Sequence, residues 1–273
     1  MLSWKDGLDY WSWQWYRVST DYLLIQRSND WHSANPYSIR KATSFKLNAL
    51  GATLILCDLN MESLENLKTE LEATPASAAH IYIPLDVACS GQCASGIDSI
   101  PSRTGMNRLD YLFNCAGINP TDIPIINTTD EYFSRLVDVN LRGTFNMSRA
   151  CVPLMKEGSV IINVSSMCGL RGYAGYSVYC ATKFAIVGFT KALALELGPK
   201  GIRVNAVAPG PIDTPTMAGN ASGKEEDNQR LKKSLALERL GEASEVADVV
   251  AFLFSPHSTF MTGSIVDITG GLR

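Results

Sequence analysis

Thr53-Leu54-Ile55-Leu56-Cys57-Asp58-Leu59 reads as an apolar run of strand length, and a helical stretch follows it from Met61 to Ala73. The same alternation continues to the end of the chain. Strands are expected at Thr53 to Leu59, His80 to Val87, Leu109 to Asn114, Ser159 to Ser165, Arg203 to Ala208 and Ser264 to Ile268. Helices are expected at Ile39 to Leu50, Met61 to Ala73, Thr129 to Lys156, Ser177 to Leu197 and Ala243 to Phe254. Near-continuous apolar strands separated by helices describe an α/β fold, a doubly wound parallel sheet buried on both faces. Thr128 with Glu131 has the spacing of a capping box for the long central helix. The connection from Pro211 to Gly241 is long, polar and charged (Lys224, Glu225, Glu226, Asp227), which reads as a mobile lid over the strand ends.

The 273 residues, 46% of them hydrophobic, suffice for one large core, and a single domain is the default. A net charge of −3 gives no basic footprint for nucleic acid. No run of about eighteen apolar residues stands out, which argues against a membrane span. The N-terminal residues lack the apolar core and cleavage site of a secretory signal, so a cytoplasmic location is expected. The seven cysteines (Cys57, Cys89, Cys93, Cys115, Cys151, Cys168, Cys180) cannot all pair, and several fall in apolar strands, so they read as reduced core thiols. Cys89 and Cys93 lack a second pair at ligand spacing, and His32, His80 and His257 are scattered, so no metal site is expected.

The chemistry concentrates in Tyr179-Cys180-Ala181-Thr182-Lys183. Residues at i and i+4 share a helix face, so the Lys183 ammonium would sit beside the Tyr179 phenol. A cation there favours phenolate and brings a group that titrates near about 10 toward the range of acid/base work. The pair points to proton transfer at a carbonyl or alcohol oxygen. Asn140 lies in the middle of an otherwise apolar helix, a costly place for an amide unless it has partners.

From about Ser38 to Gly271 the chain resembles the short-chain dehydrogenase/reductase family. Asn114-Cys115-Ala116-Gly117 resembles the family's Asn-Asn-Ala-Gly turn, with Cys115 in place of the second asparagine. Val139-Asn140-Leu141 matches its central-helix asparagine, and Ile161 to Ser166 the strand carrying its serine, thirteen residues before Tyr179. Pro209-Gly210-Pro211-Ile212-Asp213-Thr214 resembles the turn that packs on the nicotinamide. The resemblance implies a Rossmann-like fold and a nicotinamide cofactor. It also implies hydride exchange at the carbon of a secondary alcohol or ketone on a small molecule, with Tyr179 exchanging the proton at oxygen. Lys183 would assist Tyr179 and bind the nicotinamide ribose, Ser166 would hydrogen-bond the substrate oxygen, and Asn140 would fix a water in a proton relay. Ser165 is the nearer competitor of Ser166, disfavoured by spacing.

The cofactor-binding set carried by the same resemblance is Asp58, Asp86, Val87, Asn114, Ala116, Gly117, Tyr179, Lys183, Pro209, Gly210, Ile212 and Thr214. A carboxylate at Asp58 can accept a bond from the adenosine ribose 2′ hydroxyl and repel a 2′ phosphate, favouring NAD(H) without excluding NADP(H); otherwise Asp58 is a helix N-terminal acid near Asn60. Asp86 with Val87 would hold the adenine, or Asp86 simply ends a strand. Asn114 and Gly117 would shape the turn beside the adenosine ribose, Ile212 would lie against the nicotinamide and Thr214 would bond its carboxamide. Tyr173, Tyr176 and Met217 are substrate-pocket or packing residues. The helices after Thr129 and Ser177 carry more apolar surface (Phe184, Ile186, Val187, Phe189, Leu193) than one sheet can cover, which implies a homodimer or homotetramer.

The start of the chain departs from this pattern. A dinucleotide-binding fold opens with a strand, a glycine-rich turn and a helix whose N-terminus faces pyrophosphate. No glycine lies between Gly7 and Gly51, and the family's turn falls on Ser33 to Arg40, with Ala34, Ser38 and Arg40 at the glycine positions. At the third of these a side chain is expected to crowd the helix against the strand. Ungapped spacing places the first strand at Ser28 to His32; Tyr22 to Ile25 would serve with a longer loop. All five tryptophans fall in the first 31 residues. Residues 1–37 are therefore set apart as an atypical Trp-rich segment, from a misassigned start or retained intron or from real divergence, ahead of a single Rossmann-like domain at 38–273. Two readings stay open: an active NAD(P)(H)-dependent oxidoreductase, and a non-catalytic member with impaired cofactor binding that serves as a binding or assembly partner.

Overall fold

The computed structural model describes residues 22–26, 38–75, 79–105, 107–118, 122–214 and 225–271, the first of these segments through its backbone. Seven parallel strands form one sheet in the order β3-β2-β1-β4-β5-β6-β7. They are β1 (Tyr22–Gln26), β2 (Thr53–Asp58), β3 (Ile81–Pro84), β4 (Tyr111–Asn114), β5 (Val160–Val164), β6 (Arg203–Pro209) and β7 (Ile265–Ile268). The order reverses between β1 and β4, and in open α/β sheets ligands bind outside the carboxyl ends of the strands at such a point. β1 pairs with β2 on one side and β4 on the other, Leu24 standing opposite both Ile55 and Leu112. The first strand is thus Tyr22–Gln26, and the sheet reaches back across the boundary drawn at residue 38. The alternative at Ser28 to His32 lies outside the described residues, as do all five tryptophans.

The continuous apolar run of β2 has a direct structural reason. Ile55 and Cys57 enter the core cluster on one face of the sheet, with Ile97, Met147 and Leu197. Leu54 and Leu56 enter the other, with Leu47, Val246 and Val250. Both faces are covered, so neither needs polar residues. The second cluster is supplied by α1 (Ile39–Ala49), α2 (Met61–Glu72) and α9 (Ala243–Phe254), and the first by α3 (Ser90–Asp98), α6 (Gly143–Cys151) and α7 (Ser177–Leu197).

Several expectations are corrected in detail. β3 ends at Pro84, three residues short, and it is an edge strand, where a residue lacking N–H is tolerated. α3 and the short α4 (Ile100–Thr104) were not anticipated. The central helix is capped by Thr129, whose side chain accepts from the Tyr132 amide, and not by Thr128, whose hydroxyl donates to the Pro124 carbonyl. It runs as α5 (Asp130–Leu136), a wider π-helical turn at Val137–Arg142, and α6. In the connection from Pro211 to Gly241, Glu225–Lys233 forms α8, and Ala236 and Leu237 then donate to the Gly271 and Gly270 carbonyls. The segment 215–224, with Met217, lies outside the described residues. A reciprocal capping box is formed by Glu242 and Glu245, at the start of α9. Ser177–Lys200 is long and apolar enough to cross a membrane by length and composition alone, a test that core helices also pass; here α7 covers the sheet, with Ile186 and Thr190 fully buried.

Candidate active site

The described side chains with chemical potential gather where β4, β5 and β6 end. Lys183, on the second turn of α7, is 4% exposed, and its Nζ donates to the Val164 carbonyl at 3.0 Å. Nζ lies 5.6 Å from the centre of the Tyr179 ring one turn back. A Cβ added to Gly117 would sit 3.4 Å from that nitrogen and 3.5 Å from Asn140 Oδ1, so the turn after β4 presents bare backbone to the ammonium. Removal from water disfavours the charged amine and pulls the Lys183 pKa from 10.5 to about 8, with Cys115 and Cys168 opposing the change.

Asn140 sits in the π-helical turn, a local widening often found at functional positions. The partners required of a buried amide are present: Oδ1 accepts from the Ile118 amide at 2.6 Å, and Nδ2 donates to the Ile118 carbonyl at 3.1 Å. Nδ2 also reaches Thr182 Oγ1 at 3.4 Å. Asn140 therefore ties the turn after β4 to the central helix and to α7. Thr182, which sequence reasoning passed over, also donates to the Tyr179 carbonyl at 2.8 Å.

The two serines after β5 divide. Ser165 is buried and donates to the Lys183 carbonyl at 2.9 Å, fixing the strand end to α7. Ser166 is half-buried and its Oγ accepts from the Cys168 amide at 3.2 Å, capping the turn Met167–Gly169. That turn is held close: a Cβ on Gly169 would lie 2.3 Å from Ser165 Oγ and 2.6 Å from the Lys183 carbonyl oxygen. Tyr173 and Tyr176 are half-buried against the first core cluster.

The remaining predicted positions spread along the strand ends. Asn114 is buried and donates to Ser148 Oγ at 3.0 Å and Asn163 Oδ1 at 2.9 Å, and Asn163 donates to Thr190 at 3.0 Å. Asp86 Oδ1 accepts from the Ala88 amide, and the buried Val87 gives its carbonyl to Asn146. Ala116 is buried. Pro209 closes β6 opposite Ile268, and Gly210 donates to the Ile268 carbonyl. Ile212 is buried in the second core cluster against Gly241, and Thr214 is half-buried beyond it. Asp58, at the end of β2, is ion-paired with Arg40 at 3.0 Å. Arg40 was expected to crowd helix against strand; its guanidinium instead turns to the carboxylate.

A doubly wound parallel sheet with buried polar groups at its switch point is the architecture of dinucleotide-dependent oxidoreductases. A family model described as enoyl-(acyl carrier protein) reductase matches residues 33–273. The chain is 37% identical over 237 residues to the 3-oxoacyl-[acyl-carrier-protein] reductase FabG of Thermotoga maritima, covering 86% of this chain and 93% of that one. A short-chain dehydrogenase of Burkholderia cenocepacia J2315, solved with NADP, superposes with a TM-score of 0.82 at 29% identity over 93% of this chain and 98% of that one. A 3-oxoacyl-[acyl-carrier protein] reductase of Brucella melitensis, solved with NAD, gives 0.77 at 35% identity over 93% and 91%. The chain belongs to the short-chain dehydrogenase/reductase family and is an NAD(P)-dependent oxidoreductase.

The described residues fit a nicotinamide cofactor at one end of the site. Among the described residues the buried Lys183 ammonium, with three donor protons, has one acceptor, the Val164 carbonyl, and it faces a glycine without side chain. Sugar hydroxyls can accept from its other protons. At the other end α1 starts with Ser38 as N-cap, its Oγ accepting from the Lys41 amide at 3.3 Å, so one amide of the first turn is already engaged.

Proposed function

We propose that the chain interconverts a secondary alcohol and a ketone on a small-molecule metabolite, using NAD(P)(H), with Tyr179 as general acid/base. The observation that carries this reading is the buried Lys183 ammonium, held against the Tyr179 ring and the bare Gly117 with donor capacity left over. The cofactor, when bound, supplies or accepts the hydride. Tyr179 holds the proton for the substrate oxygen, and the Lys183 charge stabilises negative charge developing on its phenol oxygen. Ser166 donates to the substrate oxygen from its place at the end of β5. Asn140 positions the turn carrying Gly117 and, through Thr182, the α7 backbone at Tyr179.

Asn114, Ala116, Gly117, Asp86 and Val87 would line the cofactor from nicotinamide ribose to adenine, and Pro209, Gly210, Ile212 and Thr214 would close over the nicotinamide. Exposed Phe145 on α6 and Phe184 and Leu195 on α7 support assembly of identical copies in a cytoplasmic protein. The unit reads as one domain with a lid at 211–241.

Ser38 and Arg40 at glycine positions favour a second reading, a non-catalytic member with impaired cofactor binding. Titration of the full chain into NADH and NADPH, followed by reduced-nicotinamide fluorescence, separates the two. Saturable binding together with a loss of about 10²–10⁴ in turnover for Tyr179→Phe supports the enzyme. An unchanged rate in that variant sinks the role of Tyr179, and absence of binding to either cofactor favours the second reading.

A further inference from the structure

Between Ser166 and Tyr179 the chain leaves the sheet through the turn Met167–Gly169 and returns at Tyr176, the N-cap of α7. Any group pressed against this excursion borders the space in which those two side chains would meet a substrate oxygen. The segment after β4 supplies one. Beyond Gly117, which faces Lys183, the Ile123 amide donates to the Gly175 carbonyl at 3.0 Å. Asp122 is laid so closely on Gly175 that a Cβ there would run into its carboxylate, and the φ of 78° at Gly175 favours glycine in any case. Asp122 is nonetheless exposed. Burial first, and then the charge of Asp122 and the Cys168 thiol, push the Tyr176 phenol above its ordinary value of 10.0. Cys168 in turn donates its amide to Ser166 Oγ. The Asp122 carboxylate therefore stands on the rim shared by Tyr176 and Ser166. Arg171, on the same excursion, bonds the Tyr173 hydroxyl at 2.7 Å and lies over that ring, so its charge is directed to the other tyrosine.

An ionised carboxylate accepts and does not donate, so it takes hydroxyl donors in charge-assisted bonds. It repels a second carboxylate or a phosphate. An apolar alcohol seated against it would displace its water and return no hydrogen bond. We propose that Asp122 is a specificity-determining residue that accepts from hydroxyl groups flanking the reacting carbon, so that the substrate is an uncharged polyhydroxylated alcohol or its ketone. The proposal rests on the alcohol–ketone reading above and gives it a substrate class.

Myo-inositol and cyclohexanol share a six-membered ring and differ in the flanking hydroxyls. Their oxidation by the full chain with NAD or NADP, followed through reduced-nicotinamide fluorescence, gives a kcat/KM ratio for wild type, Asp122→Ala and Asp122→Asn. Wild type should favour inositol by about tenfold or more, and Asp122→Ala should lower that ratio by about tenfold. Asp122→Asn keeps one acceptor without the charge and should lower it by about threefold. A wild-type preference for cyclohexanol overturns the proposal. So does an unchanged ratio in Asp122→Ala, whether or not both rates fall, because a purely structural clasp would affect the two alcohols alike. If Asp122→Ala does not fold, the isosteric Asp122→Asn decides, and an unchanged ratio there is fatal. Oxidation of neither alcohol by a chain that binds NADH defeats the alcohol–ketone reading itself, a result distinct from oxidation without the predicted ratios.

Discussion

Replacing Lys183 by methionine should stabilise the cofactor-free fold while removing turnover. The amine is 4% exposed, and loss of hydration pulls its pKa from 10.5 to about 8. Below about 8 the group is charged in both the folded and unfolded chain, and the folded chain bears the full cost of desolvating it. The span from 10.5 to about 8 sets that cost at about 3 kcal/mol. Between those values the unfolded chain holds a proton that the folded chain has released, so wild-type stability climbs with pH through the window. Methionine has similar length and no charge, and gives up the 3.0 Å bond to the Val164 carbonyl, worth about 1 kcal/mol. The net expectation at pH 7 is a gain of about 2 kcal/mol. Urea denaturation of both proteins without cofactor, repeated from pH 7 upward to 10, measures it. The variant should lead at pH 7, and the gap should narrow above pH 8. If Lys183→Met unfolds at the same or lower urea concentration at pH 7, or the gap holds constant with pH, the amine is not kept charged against a desolvation cost and the argument fails.

Asn140→Ala strands the Ile118 amide and carbonyl, both bonded to this side chain, and should cost about 2–5 kcal/mol in urea midpoint analysis, above Thr182→Val, which loses the 3.4 Å contact with Asn140 and the local bond to the Tyr179 carbonyl. Gly169→Ala drives a methyl into Ser165 Oγ and the Lys183 carbonyl; about 1–3 kcal/mol of stability should be lost, with a weakened affinity for NADH because α7 must shift at Lys183. His80 accepts from the Leu54 amide at 3.2 Å and bonds Asn48 at 3.1 Å, and burial lowers its pKa from 6.5. The unfolded chain therefore binds the proton first, so stability is full above about 6.5 and declines as pH falls below it; thermal melts of His80→Asn between pH 5 and 7 should show a shallower slope than wild type.

The sheet was legible from β2 onward because strands covered on both faces leave unbroken apolar runs, as the split of Leu54 and Leu56 from Ile55 and Cys57 shows. α7 and α9 fell where expected to the residue, since each is long with strong apolar content. α3 escaped because only Cys93 and Ile97 of its nine residues are buried, too few to set a period. The location of β1 turned on loop length: residues 27–38 separate it from α1, and spacing taken from a short glycine turn points to the wrong segment. The tyrosine–lysine pair could be read from helix geometry alone. The Arg40–Asp58 contact and the clamp of Asn140 on Ile118 could not, because each joins elements far apart in sequence.

The place of β1 in the middle of the sheet governs what a shortened chain would do. A protein beginning at Ser38 would keep most of its helices, but β2 and β4 would confront each other across a missing strand, each with a row of unpaired amides and carbonyls. Raw edges of that kind recruit strands from other molecules. Such a truncation would accumulate as aggregate rather than as a smaller folded domain, and a free peptide spanning Tyr22–Gln26, supplied in excess, is the natural candidate to fill the slot and restore solubility.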